Sequence, residues 1–378
     1  MKYIAIKIFL NIQSDSITGR VARMNGLRKV LVLISRGRAR IIRRLIQFLK
    51  VDDQNIENLL DGDFISGESF EKRQKYSNST HLVFWNSRSE TIEQMNFPER
   101  HICAIKNILL DSLTGMTFTQ SKKMIAESSS WPTDHLLLNS VPKPLYPQKL
   151  AFSPEVTVLC LPSNGFYHWL CEDLPAYLFA LENSRTPITL IQNDAPRFVE
   201  SFLTFIPGEI LRVPRFISTN SFTFTTKGAT TGWMDPADLS MLRTFFAKHI
   251  QTPTLGKKIY ISRLESSRSP KFEKELISML ISDGWLVLTM EEMSLQEQIE
   301  TISTAQVLCG VHGAGLSGIA WMASGTKLIE LSPKRFIPCF ARMCNNTGMN
   351  YFRIGYEELG ADCRELMHQI QTFAHSTN

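Results

Sequence analysis

The chain reads as an α/β protein built on parallel sheets, and three observations carry that reading. From residue 155 onward, short apolar runs rich in β-branched residues alternate with segments of helical pattern. Several of those runs, such as Ala305–Val311, are apolar almost throughout, as strands covered on both faces are. At 378 residues the chain also exceeds one ordinary core, so two domains are expected.

Residues 1–80 are expected to form a basic extension and linker. The first 50 residues hold 12 Lys/Arg against one acid, Asp15, whereas the remaining chain holds 29 basic against 35 acidic side chains. The net charge of +5 is therefore an N-terminal property. Within residues 28–50, Ile41, Ile42, Leu45, Ile46, Phe48 and Leu49 form a broad apolar face between Arg40, Arg43, Arg44 and Lys50. Such a helix either lies on an anionic membrane surface or packs on its own domain with its charges solvated. Nucleic acid is not an expected partner, because the basic stretch lacks interleaved Tyr or Trp and any known binding module.

Residues 81–250 are read as the first α/β domain. Strand-like runs stand at His81–Trp85, Ile102–Leu110 and Met116–Thr119, followed by a Pro-rich connection at Val141–Pro147. Glu155–Leu161 reads as a buried strand, and Asn164 as the cap of a helix beginning near Gly165. Strands are expected at Ile188–Gln192 and Ile210–Val213, with helices at Pro196–Ile206 and Asp235–Ile250, the latter opened by Pro236 after a capping Asp. Gln251–Gly256 is a polar break and the expected domain boundary. Residues 257–360 then alternate more cleanly: strand Lys258–Ser262, helix Pro270–Asp283, strand Trp285–Thr289, helix Leu295–Thr304, and strand Ala305–Val311. After one or two helical turns come strands Lys327–Leu331 and Met349–Ile354, and residues 361–378 close the chain with a helix near Cys363–Ala374.

Composition excludes several classes. With 43% hydrophobic and 20% charged residues the chain is neither disordered nor fibrous. No apolar run reaches the roughly 18 residues that a membrane span needs. Met1–Leu10 is interrupted by Lys7 and lacks a small-residue cleavage site, so no signal peptide is expected and the expected location is cytoplasmic. Seven cysteines without a CxxC pair suit a reducing compartment, and no convincing metal set accompanies Cys339 and Cys344.

Three constellations bear chemistry. His168 and Glu172 stand four residues apart, on one face of a helix that Pro175 should kink, and Asp173 adjoins them. A carboxylate beside an imidazole makes a general-base pair, or simply a hydrogen-bonded pair on a half-buried helix. Arg263 ends the strand Tyr260–Arg263, where a parallel sheet presents ligand-binding groups, with Arg268, Lys271 and Glu273 beyond it. Finally, His312, Gly313, Ala314, Gly315 and Leu316 form a tight strand-to-helix turn that favours an anion. Gly313, Gly315 and Gly318 spell the dinucleotide pattern G-x-G-x-x-G, but the next acid, Glu330, follows Gly318 by only 12 residues instead of about 20.

In this order the three segments resemble glycosyltransferase family 61. That family shows an H-W-hydrophobic-x-(D/E)-x-L-P segment, then a Y-I-S-R strand end, then H-G-A-G-L before a G-x-x-(V/L)-I-E-(L/I) strand. Here they stand as FYHWLCEDLP at 166–175, YISR at 260–263, HGAGL at 312–316 and GTKLIEL at 325–331. The chain departs from the family where Phe272 precedes Glu273 and where Gly318 replaces an Asn. The resemblance implies a GT-B architecture, two Rossmann-like domains facing a cleft, and inverting transfer from a nucleotide-sugar, usually a UDP-sugar, without a metal or cofactor. It implies a glycan or lipid-linked glycan acceptor, the diphosphate held by Arg263, Arg268, His312 and the amides of Gly313–Leu316, and the ribose by Glu330. Glu172 would be the base, with His168 or Asp173 as alternatives. A nicotinamide oxidoreductase and a catalytically silent binding relative are the competing readings.

If residues 28–50 engage an anionic membrane face, deleting residues 1–50 should abolish flotation of the protein on phosphatidylserine-containing vesicles. Equal flotation of the two chains ends the membrane reading.

Overall fold

A computed structural model describes the chain from Val158 to Ser376, apart from residues 163–164, 184–187, 227, 230 and 335. Before Val158 it describes Arg100, Ser128 and the segments 53–54, 64–66, 77–83, 90–96, 102–119, 124–125 and 151–153. The basic segment 28–50, the Pro-rich connection 141–147 and the expected cap Asn164 lie outside the described residues.

Two parallel sheets carry the fold. The larger has five strands in the order Leu286–Leu288, Lys258–Ile261, Val307–Val311, Lys327–Ser332, Asn350–Gly355, all parallel. In chain order that is 2-1-3-4-5, so the direction of winding reverses between Lys258–Ile261 and Val307–Val311. At such a switch point the loops after the two strands splay apart and leave a crevice at the strand C-terminal ends. Val307–Val311 and Lys327–Ser332 are buried at every position, because helices cover both faces. The smaller sheet orders Glu209–Val213, Ile188–Gln192 and Val158–Cys160, again all parallel.

The helices follow local chemistry. Asp235 accepts from the Ala237 amide and Pro236 opens Pro236–Phe245, as the sequence predicts. Leu295–Ile302 starts with a full capping box, Ser294 and Glu297 exchanging bonds. Cys363–His375 starts at Asp362, which accepts from two amides, and ends on Lys327, whose ammonium donates to the carbonyls of Phe373 and Ala374.

The described residues also include an antiparallel region that the α/β reading did not anticipate. Phe216–Thr225 pairs antiparallel with Ile102–Asp111 and parallel with Ala151–Ser153 in a mixed seven-stranded sheet. Its Ser- and Thr-rich sequence lacks the apolar run of a buried strand. Backbone pairing along Ile102–Asp111 and the burial of Ile217, Thr219, Phe222 and Phe224 hold it instead. A hairpin, Ser77–Val83 with Glu90–Asn96, was foreseen in part of its first strand only.

One apolar cluster runs from Leu159, Trp169, Phe202 and Phe246 under the smaller sheet to Leu308, Trp321 and Phe340 under the larger. A second covers the opposite face of the five-stranded sheet beneath helices Glu273–Ser282 and Cys363–His375. The polar break Gln251–Gly256 passes over the surface, with Leu255 93% exposed. No helix among the described residues is long and apolar enough to cross a membrane.

Candidate active site

The helix bearing His168 is not uniform. Phe166–His168 is α-helical, Trp169–Asp173 widens into a π-turn, and Leu174–Asn183 is α-helical again. Pro175 explains the widening: its ring would clash with the Cys171 carbonyl in a regular helix, and it has no N–H to donate. The chain steps instead from the Leu174 amide to the Trp169 carbonyl, five residues back. Trp169, fully buried, anchors the segment with ring centroids 5.3 Å from Phe198 and 5.6 Å from Phe202.

This helix turns His168 and Glu172 toward each other. His168 Nδ1 lies 3.0 Å from Glu172 Oε2, while Glu172 Oε1 accepts from Thr231 Oγ1 at 2.8 Å and from the Gly232 amide at 3.0 Å. The carboxylate side chain is 2% exposed and the imidazole 29%. Burial alone pushes Glu172 up, but the His168 bond and charge, the Gly232 amide and the Thr231 hydroxyl outweigh it, so the carboxyl sits below its ordinary 4.5. Burial likewise pulls His168 down, and the Glu172 bond and charge overcome that pull, raising it above 6.5. Glu172 is thus a buried, saturated anion and His168 the partly exposed member of the pair. Asp173, whose charge also helps to raise His168, lines a different cavity of about 30 Å³ with Tyr177 and Thr223.

At the switch point of the larger sheet, the loops after Ile261 and Val311 meet. The Arg263 guanidinium donates to the His312 carbonyl and, at 3.2 Å, to Ser266 Oγ. Its amide donates to Glu273 Oε1 at 2.7 Å, and the fully buried Glu273 also accepts from Tyr260 and Ser269. Burial first, then the like charge of Arg268, lowers the Arg263 pKa, yet a guanidinium stays charged at neutral pH. Arg268 itself is exposed. Gly313 is at the N-cap of the 3-10 helix Ala314–Trp321 with no side-chain cap. Leu316 turns into the core, 1% exposed, and its amide bonds the Gly313 carbonyl. His312 to Gly315 therefore form the half-buried surface of the loop.

The three glycines that spell a dinucleotide motif have separate packing reasons. A Cβ at Gly313 would meet the Arg263 guanidinium at 2.7 Å, one at Gly315 Ile261 Cγ2 at 3.0 Å, and one at Gly318 Ile302 Cδ1 at 2.4 Å. Gly318 is buried beneath the core Ile302, whose side-chain tip would have to shift for the Asn of the family pattern. Glu330 faces inward rather than toward a ribose. It is fully buried, with Oε1 2.5 Å from His312 Nδ1 and Oε2 accepting from Tyr351 at 2.7 Å.

Two His–Glu pairs thus stand on the two parallel layers, and aromatic rings join them. Tyr167 meets Phe340 edge-on at 5.6 Å, and Phe340 lies 5.5 Å from His312. Arg342, stacked 4.0 Å over Trp233, donates to the Gly232 carbonyl at 3.1 Å and so braces the loop whose amide binds Glu172. Among the described residues no group of three or more His, Cys, Asp or Glu is set to hold a metal ion.

Residues 166–329, from the start of the His168 helix into the strand that carries Glu330, match the family model described as Glycosyltransferase 61. That is the family which the three motif segments resemble. The activity that family 61 implies is glycosyl transfer. No curated protein matches the chain. The family-61 segment holds His168, Glu172, Thr231, Arg263 and His312, whereas Phe340, Arg342 and Tyr351 lie beyond it. Thr231 and Gly232 were not foreseen as partners of Glu172. The signal was slight: a glycine whose φ of +83° favours that residue.

The pair has a testable pH signature. Folding lowers the Glu172 pKa from 4.5, so its contribution to stability is present above that value and lost as pH falls through the lowered one. Folding raises that of His168 from 6.5, so its contribution is full below 6.5 and lost as pH rises through the raised value. The pair therefore stabilises most between 4.5 and 6.5. Removing the anion leaves burial dominant, so the His168 NMR titration midpoint should fall below 6.5 in Glu172→Gln. An unchanged midpoint would contradict the pairing.

Proposed function

We propose that this protein is an inverting glycosyltransferase that moves a sugar from a nucleotide-sugar, a UDP-sugar by preference, to a hydroxyl of a glycan or lipid-linked glycan. The observation that carries this reading is the placement of a His–Glu pair on one parallel layer and an arginine-braced glycine loop on the other, joined through Tyr167, Phe340 and His312. The two layers are the halves of a GT-B cleft in this reading.

Single displacement needs a base on the acceptor side and charge stabilisation on the donor side. Glu172 is 2% exposed and spends both oxygens on protein donors, so an acceptor hydroxyl meets the imidazole first. His168 takes the acceptor proton, and Glu172 orients the ring and stabilises the imidazolium that forms. The acceptor oxygen then attacks the anomeric carbon from the face opposite the departing diphosphate, inverting its configuration. Arg263, the Ala314 and Gly315 amides at the uncapped helix start, and Arg268 at the rim stabilise that diphosphate. Glu330 acts behind His312, fixing its ring and the loop it begins. No metal is assigned a role. Residues 28–50 suit a location on the inner face of a membrane, where a lipid-linked acceptor would be presented.

A thermal-shift panel of nucleotide-sugars identifies the donor, and Arg263→Ala tests the site. That variant should weaken UDP binding by about tenfold or more, the worth of hydrogen bonds to a charged group. An unchanged dissociation constant removes Arg263 from the donor site.

A further inference from the structure

A groove of about 530 Å³ runs between the helix Pro236–Phe245 and the last turn of the helix Cys339–Thr347, and has no part in the steps above. Ser240, Arg243 and Thr244, neighbours on one helical face, form one side, and Ser324, Asn346 and Thr347 form the other. Arg243 is half-buried and clamped. Its Nη1 donates to the carbonyls of Ala320 at 3.2 Å and Met322 at 2.5 Å, at the end of the 3-10 helix Ala314–Trp321. That helix starts at the loop assigned to the diphosphate. Its 8 residues, at about 2 Å each, span roughly 16 Å, so the groove stands apart from the donor loop.

The clamp leaves one edge of the guanidinium unused. Among the described residues Arg243 Nε and Nη2 meet no acceptor, and neither is sealed from solvent. Those two nitrogens form an edge that takes a carboxylate through two parallel bonds. Arg215 makes this pairing elsewhere in the chain, its Nε and Nη2 holding the two oxygens of Asp111 at 3.0 and 2.9 Å. No carboxylate lines the groove, so the group that matches Arg243 is one a ligand brings. Around Arg243 the groove offers hydroxyls. Ser324 and Thr347 spend their hydrogens on backbone carbonyls, of Gly348 at 3.2 Å and of Met343 and Cys344 at 3.0 Å, which leaves their oxygens to accept. Ser240 and Thr244 are exposed, their hydroxyls uncommitted among the described residues. Leu239 and Ile250 add aliphatic surface, and no aromatic ring lines the groove, so it offers a base nothing to stack on.

We propose that this groove is a second ligand site, for a saccharide that carries a carboxylate. The carboxylate sits on the Nε–Nη2 edge of Arg243, and sugar hydroxyls meet Ser240, Thr244, Ser324 and Thr347. Many hydroxyl partners, aliphatic patches between them and one anion-binding fork are the features an acidic glycan matches. That the ligand is a saccharide rests on the glycosyl-transfer reading, whereas its carboxylate rests on Arg243 alone. The groove draws its sides from both layers, so a bound glycan bridges them. It holds an acidic chain on the protein without touching the reacting atoms.

The test is calorimetric titration of the full chain with fragments of oligogalacturonate, hyaluronan and oligosialic acid, each beside its methyl ester, which keeps the sugar and removes the charge. It is repeated on Ser240→Glu, which sets a carboxylate of the protein's own against Arg243 from an exposed position, and on Ser240→Gln, its uncharged counterpart. Thermal melting reports that the variants fold. The site predicts that at least one acid fragment binds. It also predicts that esterification and Ser240→Glu each weaken that binding by about tenfold or more, the worth of hydrogen bonds to a charged group, while Ser240→Gln does not. Failure of every fragment to bind, or binding that neither esterification nor Ser240→Glu alters, overturns the site. Equal loss in Ser240→Gln overturns the carboxylate assignment, and full displacement by acetate at the same concentration overturns the saccharide. Turnover of nucleotide-sugars is measured on the same preparation. Failed titrations beside intact turnover strike the groove alone, and absent turnover with every nucleotide-sugar strikes the transferase reading.

Discussion

The arrangement of this site depends on one buried carboxylate. A carboxylate as deeply buried as Glu172 costs several kcal/mol unless its oxygens are satisfied, so whatever satisfies it is constrained with it. His168 comes from the same helix, Thr231 and Gly232 from a loop some 60 residues later. The Gly232 carbonyl in turn accepts from Arg342, on the helix Cys339–Thr347. One anion thereby ties together the Pro175-widened helix, the Thr231–Gly232 turn and an element beyond the family-61 segment. Its lowered pKa is the electrostatic trace of that convergence.

The larger sheet solves a similar problem in a similar way. Glu330, fully buried, is satisfied by His312 and Tyr351, and the ring it orients opens the loop that Arg263 crosses. Glu273 does the same for the neighbouring strand end, accepting from Tyr260, the Arg263 amide and Ser269. In the proposed reading the surface that meets the substrates is made of His168, Arg263, Arg268 and loop backbone, while Glu172, Glu273 and Glu330 stand behind it. Such a layout suits a reaction in which negative charge develops on the leaving group: donors face the ligand, and the anions that position them are kept from it.

The parallel sheets were legible in the sequence because most of their strands are apolar runs between segments of helical pattern. Asp235 and Pro236 mark one helix start. His168 with Glu172, Arg263 at its strand end and His312 in its turn were legible for the same reason: each pairs a residue type with a local position. What was not legible depends on contacts distant in sequence. Lys327–Ser332 is buried at all six positions, so no alternation reveals that Glu330 points inward. Gly318 has the same letter whether it cradles a phosphate or lies under Ile302. Phe216–Thr225 takes its strand conformation from Ile102–Asp111, more than a hundred residues earlier, and its own Ser and Thr residues do not announce it.

The central claim is that His168, poised by Glu172, takes the proton from the acceptor. The most direct measurement is the turnover of His168→Ala, with and without added imidazole, using the nucleotide-sugar that most stabilises the protein against heat. The account predicts a loss of about 10²–10⁴-fold in turnover, an unaltered donor dissociation constant, and partial recovery in imidazole. Turnover at the unaltered protein's rate in His168→Ala would contradict it.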